Sequence, residues 1–240
     1  MYKRIAIGLA ALCALAVSSS AHAAVALNPS SGSNSQITYS NGVTDNGLFG
    51  NPTLSGVKIL FSSPSNFKAV ASNSAAQTTS DRVSFLLKKT DGSDLDTIAV
   101  SETGDWSILG TGLAKVSGAL FFYSHDAATF GQEYSVTPVV TYKNTDNGVT
   151  TVSPVIPSGT STGIWTAELF LDLPTGLKTG ELVLNNNLQV TAGAASTSLI
   201  QKKGITIGIT VPQPGVPEPT SMAVLFAGGS MLLFRRRKAV

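Results

Sequence analysis

Trp165-Thr166-Ala167-Glu168-Leu169-Phe170-Leu171-Asp172 decides the fold. Trp165, Ala167, Leu169 and Leu171 fall on every second position, with Thr166, Glu168 and Asp172 between them. A period of two turns alternate side chains to opposite faces, so this stretch reads as a strand with one face buried. The same alternation runs through Val57, Ile59 and Phe61, and through Val83, Phe85 and Leu87. It recurs where Ile205, Ile207, Ile209 and Val211 alternate with Thr206, Gly208 and Thr210. About a dozen such strands are expected, and no segment outside the two termini keeps a helical period of about 3.6.

Turn chemistry agrees with the strands. Asn41-Gly42, Asn46-Gly47 and Asn147-Gly148 are pairs that readily take the positive φ of tight turns. Asp91-Gly92, between Val83–Lys89 and Leu95–Glu102, predicts a hairpin, and Thr103-Gly104-Asp105 predicts a further turn into Trp106. Short strands with frequent turns point to an all-β, antiparallel β-sandwich. A resemblance between Tyr39–Gly47 and Tyr142–Gly148 reads as two independent Asn-Gly turns, with a duplicated module as the alternative.

The chain has 240 residues, of which 12% are charged, against about a quarter in an ordinary soluble domain. So little charge argues against a nucleic-acid partner and against long helices with exposed Glu and Lys faces. The single cysteine, Cys13, excludes an internal disulfide and a thiolate zinc cluster.

Both ends read as addresses. Lys3 and Arg4, the apolar run Ile5–Val17 and Ala21-His22-Ala23 form a secretory signal helix over residues 1–23, cleaved after Ala23. An uncleaved anchor is the alternative, and Leu12 before Cys13 argues against lipidation. At the other end a Pro-rich stalk, 211–219, precedes a tail, 220–240. Its apolar run Met222–Phe234 is followed by Arg235-Arg236-Arg237-Lys238. A helix over 220–234 rises about 22 Å, so it is a short transmembrane helix whose basic residues stop transfer on the cytoplasmic side. Between the addresses, residues 24–210 are the expected ectodomain. The span 24–216 holds 10 basic and 13 acidic residues, about −3, so the formal +2 of the whole chain belongs to its ends.

Pro217-Glu218-Pro219, the short apolar helix and the Arg-rich terminus together resemble a PEP-CTERM sorting signal. The likeness covers about a tenth of the chain. It implies export by the Sec machinery, removal of the leader by signal peptidase and transient anchoring in the inner membrane. Processing by exosortase near the Pro-Glu-Pro follows. The resemblance further implies delivery to the cell surface or extracellular matrix of a Gram-negative bacterium, in association with exopolysaccharide and with biofilm or floc formation.

Chemistry is sparse in the middle. Gly159-Thr160-Ser161-Thr162-Gly163 matches a nucleophile-elbow pattern, but a strand and not a helix is expected to follow it, and no histidine comes after Ser161. His125 reads as a loop histidine. No cofactor is expected apart from candidate calcium at Asp91, Asp94 and Asp96, where Glu102 and Asp105 complete an acidic cluster on a solvent-facing edge. Tyr39, Trp106, Tyr123, Tyr134, Tyr142 and Trp165 are candidate sugar-stacking rings. Trp165 is expected in the core, and Trp106, placed after a turn, is the candidate sugar contact.

Three readings follow. The first is a non-enzymatic structural or adhesive surface protein, the second a carbohydrate- or calcium-binding module. The third is a glycoside hydrolase using two carboxylates about 5–9.5 Å apart.

Overall fold

The computed structural model describes residues 23–210 apart from 63, 65, 154, 157 and 158. Both the signal helix and the transmembrane helix expected from the sequence lie outside the described residues, as do Ala21, Pro217-Glu218-Pro219 and Arg235–Lys238. Ala23 is described, exposed and without regular structure.

Every strand pairing is antiparallel, and no helix occurs among the described residues. In chain order come β1 (Val25–Ala26), β2 (Gly32–Ser33), β3 (Ile37–Thr44), β4 (Pro52–Ser55) and β5 (Lys58–Ser62). Then follow β6 (Lys68–Ser72), β7 (Ala76–Lys89), β8 (Thr97–Leu109), β9 (Gly112–Ser124), β10 (Glu133–Val136) and β11 (Val139–Asn144). The last are β12 (Thr150–Val152), β13 (Val155–Ile156), β14 (Ser161–Asp172), β15 (Thr179–Ala192) and β16 (Thr197–Thr210).

They form two eight-stranded sheets. Sheet A runs β1-β3-β7-β15-β9-β10, with β2 added on β3 and β13 on β9. Sheet B runs β12-β11-β14-β8-β16-β5-β4, with β6 added on β16. Inward side chains of both sheets share one core, in which Phe49 meets Phe61 and Phe67 edge-on at centroid distances of 5.8 and 5.7 Å. Two antiparallel sheets on a common core are consistent with the expected β-sandwich. As the alternation requires, β14 buries Trp165, Ala167, Leu169 and Leu171 and turns Glu168 and Phe170 out.

Three turn assignments differ from expectation. Asp91-Gly92 does reverse the chain, but β7 lies in sheet A and β8 pairs β14 and β16 in sheet B, so the connection crosses between sheets. Thr103-Gly104-Asp105 is no turn; it lies inside β8. Gly104 is there because Trp165, directly opposite on β14, lays its indole over the position, where a Cβ would collide with the ring and with the Gln201 carbonyl. Gly163 serves Trp106 in the same way on the same strand pair. Asn41-Gly42 forms a bulge in β3, with Asn41 at φ 57°, whereas Asn147-Gly148 does join the β11–β12 hairpin.

A second bulge shapes β16. Its inward residues are Ser198, Ile200 and Lys202, then Ile205, Ile207 and Ile209. The register shifts between Lys202 and Gly204, so Lys203 is the extra residue that changes the parity.

Candidate functional site

Strand β9 sends Leu120 and Phe122 into the core, so Phe121 and Tyr123 face outward together. Their rings stack, with centroids 6.3 Å apart and planes 11° from parallel. Register sets Glu133 of β10 on one side of Tyr123 and Glu181 of β15 on the other. Desolvation there, then the charge and hydrogen bond of Glu133 and the charge of Glu181, push the phenol above its ordinary value. It is therefore a neutral hydroxyl at neutral pH.

Along the same sheet, Arg82, Ser117, Asn185, Asn187 and Asn46 line an open groove of about 480 Å³. Asn185 stands between Arg82 and Ala119, and Asn187 between Ser80 and Ser117. The Asn187 Oδ1 is shielded from solvent and has no hydrogen-bond partner. Arg82 Nε lies 3.5 Å from the Asp45 carboxylate. A flat aromatic plate beside amide, hydroxyl and guanidinium groups suits a polyhydroxylated ring: its C–H face covers the aromatics while its hydroxyls reach the polar groups.

Of the aromatic residues nominated from sequence, all but Tyr123 are placed elsewhere. Trp106 is only 3% exposed. It presents no flat face to a sugar, because Gly104 continues the strand and alternation then carries Trp106 inward. Tyr39, Tyr142 and Trp165 are core as well, and Tyr134 packs half-buried against it. Of the six aromatic candidates, only Tyr123 belongs to the outer face described here. The signal that could have found its partner was weak, since Leu120–Tyr123 reads as an unbroken apolar run.

The three aspartates have separate tasks. Asp91 Oδ1 accepts from the Ser93 amide and hydroxyl at 2.9 and 2.8 Å, and Ser93 lowers its pKa accordingly. Asp94 accepts from the Gly176 amide at 2.7 Å, and Asp96 pairs with Lys89 at 3.0 Å. Glu102 is not on a solvent-facing edge. It points into the core from β8, the middle strand between β14 and β16. No group of three or more His, Cys, Asp or Glu side chains poised for a metal occurs among the described residues. Ser161 opens β14, and His125 is exposed, its ring 5.7 Å from that of Phe130.

Sequence reasoning missed a polar cluster inside the core. Glu102 of β8 and Lys202 of β16 form an ion pair at 2.8 Å, with side chains 2% and 0% exposed. Asn186 of β15, from the opposite sheet, donates to the other Glu102 oxygen at 2.7 Å and accepts from Lys202. Beside it, Asp81 accepts from the Thr44 hydroxyl and from the amides of Asn46, Leu48 and Arg82 at 2.6–2.8 Å. It thereby fixes the loop after β3.

No family model and no curated protein matches the chain. Among solved structures, the chain is similar to the enzymatically active domain of bacteriophage CBA120 tailspike protein 4, at 10% identity and a TM-score of 0.20 over 58% of this chain. It is also similar to a structure of infectious bursal disease virus, Gt strain, at 12% identity and a TM-score of 0.21 over 78% of this chain. The matched regions cover 19% of the tailspike chain and 50% of the viral one.

Proposed function

We propose that the chain is an exported, non-enzymatic surface or matrix protein whose β-sandwich body holds exopolysaccharide along the outer face of sheet A. The observation that carries the sugar contact is the stacked Phe121–Tyr123 pair beside the polar groove of Arg82, Asn185 and Asn187. Export and surface delivery rest on the leader and on the Pro217-Glu218-Pro219 tail with its Arg235–Lys238 terminus.

Affinity electrophoresis of the full chain through gels containing the producer's own polysaccharide tests the contact. Two aromatic contacts at about 0.5–1.5 kcal/mol each make Phe121→Ala/Tyr123→Ala weaken binding roughly tenfold. Phe170→Ala, which removes an exposed ring from sheet B, leaves the migration of the wild type. A double variant retarded as strongly as wild type removes the sugar reading. For sorting, mass spectrometry of the surface-extracted protein should find the Arg235–Lys238 segment gone; its retention in wild-type cells rejects processing.

A further inference from the structure

Lys202, Glu102 and Asn186 are arranged as more than an ion pair. The Glu102 carboxylate bridges the other two, with Oε2 2.8 Å from Lys202 Nζ and Oε1 2.7 Å from Asn186 Nδ2. Lys202 Nζ donates to Asn186 Oδ1, the atom bonded to Cγ, so the amine already lies against the amide. Aromatic rings enclose it: the centroids of Phe67, Trp165 and Phe49 are 4.9, 5.8 and 5.9 Å from Nζ. Lys202, Glu102 and Asn186 are all buried, and Asn186 also borders the open groove on the outer face of sheet A. Holding a charged pair in such a place is costly, and an apolar pair of similar volume serves stability as well or better. A carboxylate that touches both an amine and a carboxamide is also the arrangement an amide exchange needs.

We propose that Lys202 and Asn186 become joined by an intramolecular amide bond, with Glu102 as the proton shuttle. The Lys202 ammonium first passes a proton to Glu102, leaving a neutral amine beside a neutral carboxylic acid. The Nζ lone pair attacks Asn186 Cγ and forms the new C–N bond. Glu102 takes the second proton from Nζ and delivers a proton to Nδ2. The Cγ–Nδ2 bond then breaks and ammonia leaves. Amine and carboxamide give a secondary amide and ammonia, with no oxidant or external reagent. Glu102 ends as it began the attack, protonated.

The enclosure favours each step. Desolvation lowers the Lys202 pKa, against the opposing charge of Glu102, and so favours the nucleophilic amine. The product replaces a buried charge pair with a neutral amide. It also ties β15 of sheet A to β16 of sheet B in a chain whose one cysteine lies at position 13.

Tryptic mapping of the full-length protein tests the bond. Lys178 and Lys202 bound the ordinary fragment that carries Asn186. Acylation of Lys202 blocks cleavage there and yields Thr179–Lys203 about 17 Da light, the mass of one ammonia. Fragment ions from breaks between Asn186 and Lys202 will be missing, because both ends of that loop stay joined. A cyclic imide at Asn186 alone also loses ammonia, but it leaves Lys202 cleavable and the internal ions present, and that result overturns the proposal. So does a map with the unmodified Thr179–Lys202 fragment only. In Glu102→Gln and Lys202→Arg the deficit disappears; a deficit that persists in Lys202→Arg also overturns it. Should those variants not fold, the wild-type map decides by itself.

Discussion

Raising the pH from about 8 to about 12 should remove about 2 kcal/mol of folding free energy through Tyr142 alone. This side chain points inward from β11 in sheet B, and its hydroxyl accepts the Val116 amide of β9 in sheet A at 3.1 Å. Val116 needs that acceptor because it falls between the stretch of β9 paired with β13 and the stretch paired with β10. Burial pushes the phenol from 10.0 to about 12, while the Val116 N–H pulls weakly the other way. The unfolded chain therefore ionises near 10, and the folded one only near 12. A raised folded pKa means that the contribution is whole below pH 10 and is lost as the pH climbs through this window. The loss is about 1 kcal/mol at about pH 11 and levels off near ~3 kcal/mol well above 12.

The difference between wild type and Tyr142→Phe is the quantity to measure, because it cancels every alkaline effect the two proteins share. At neutral pH the variant should be about 1–2 kcal/mol less stable, because a buried amide loses its acceptor. Urea denaturation followed by tryptophan fluorescence, repeated across the alkaline range, should show this gap closing and then vanishing or reversing by about pH 12. A gap that stays constant would refute the reasoning, because Tyr142 would then ionise equally in both states.

Two other perturbations probe the core. Gly104→Ala places a methyl group against the Trp165 indole and the Gln201 carbonyl, and Gly163→Ala does the same beneath Trp106. Each should cost about 1–3 kcal/mol and shift the tryptophan emission, and unchanged denaturation midpoints would show that the glycines are dispensable. Asp81→Ala orphans the Thr44 hydroxyl and the Asn46 and Leu48 amides. A loss of about 2–4 kcal/mol is expected. Hydrogen exchange at Asn46 and Leu48 should accelerate before the rest of sheet A, and unaltered protection would count against Asp81 as the loop's anchor.

What the sequence made legible is what alternation encodes. Trp165–Leu171 and Ile205–Ile209 show their buried faces directly, because water-facing Thr and Glu sit between apolar residues. Alternation assigns every polar residue to the outside, however, and this misplaces Glu102 and Lys202, whose charges are neutralised by each other and not by water. The bulge at Lys203 adds to the difficulty by changing the inward parity within one strand. Glycine is ambiguous for a similar reason. Gly104 was expected to bend the chain, yet its lack of a side chain makes room for an indole from the next strand. That expectation turned Trp106 outward and made it the sugar candidate. Turn chemistry at Asp91-Gly92 reports a reversal, but the sheet that receives the following strand depends on partners as distant as Thr210, more than a hundred residues away. Phe121 and Tyr123 alternate with residues as apolar as themselves, so nothing local marks which pair faces water.

The placement of β8 and β16 also governs when the fold can form. β8 is the middle of sheet B, and its partner along one whole side is β16, joined from Thr97↔Thr210 to Leu109↔Thr197. Neither sheet B nor the Glu102–Lys202–Asn186 cluster can be completed until the chain has been delivered almost to residue 210. Pairings that span so much sequence close slowly, because loop entropy must be spent before any contact forms. A polypeptide with this wiring remains threadable while it is still emerging. It locks only when β16 arrives between β8 on one side and β5 and β6 on the other.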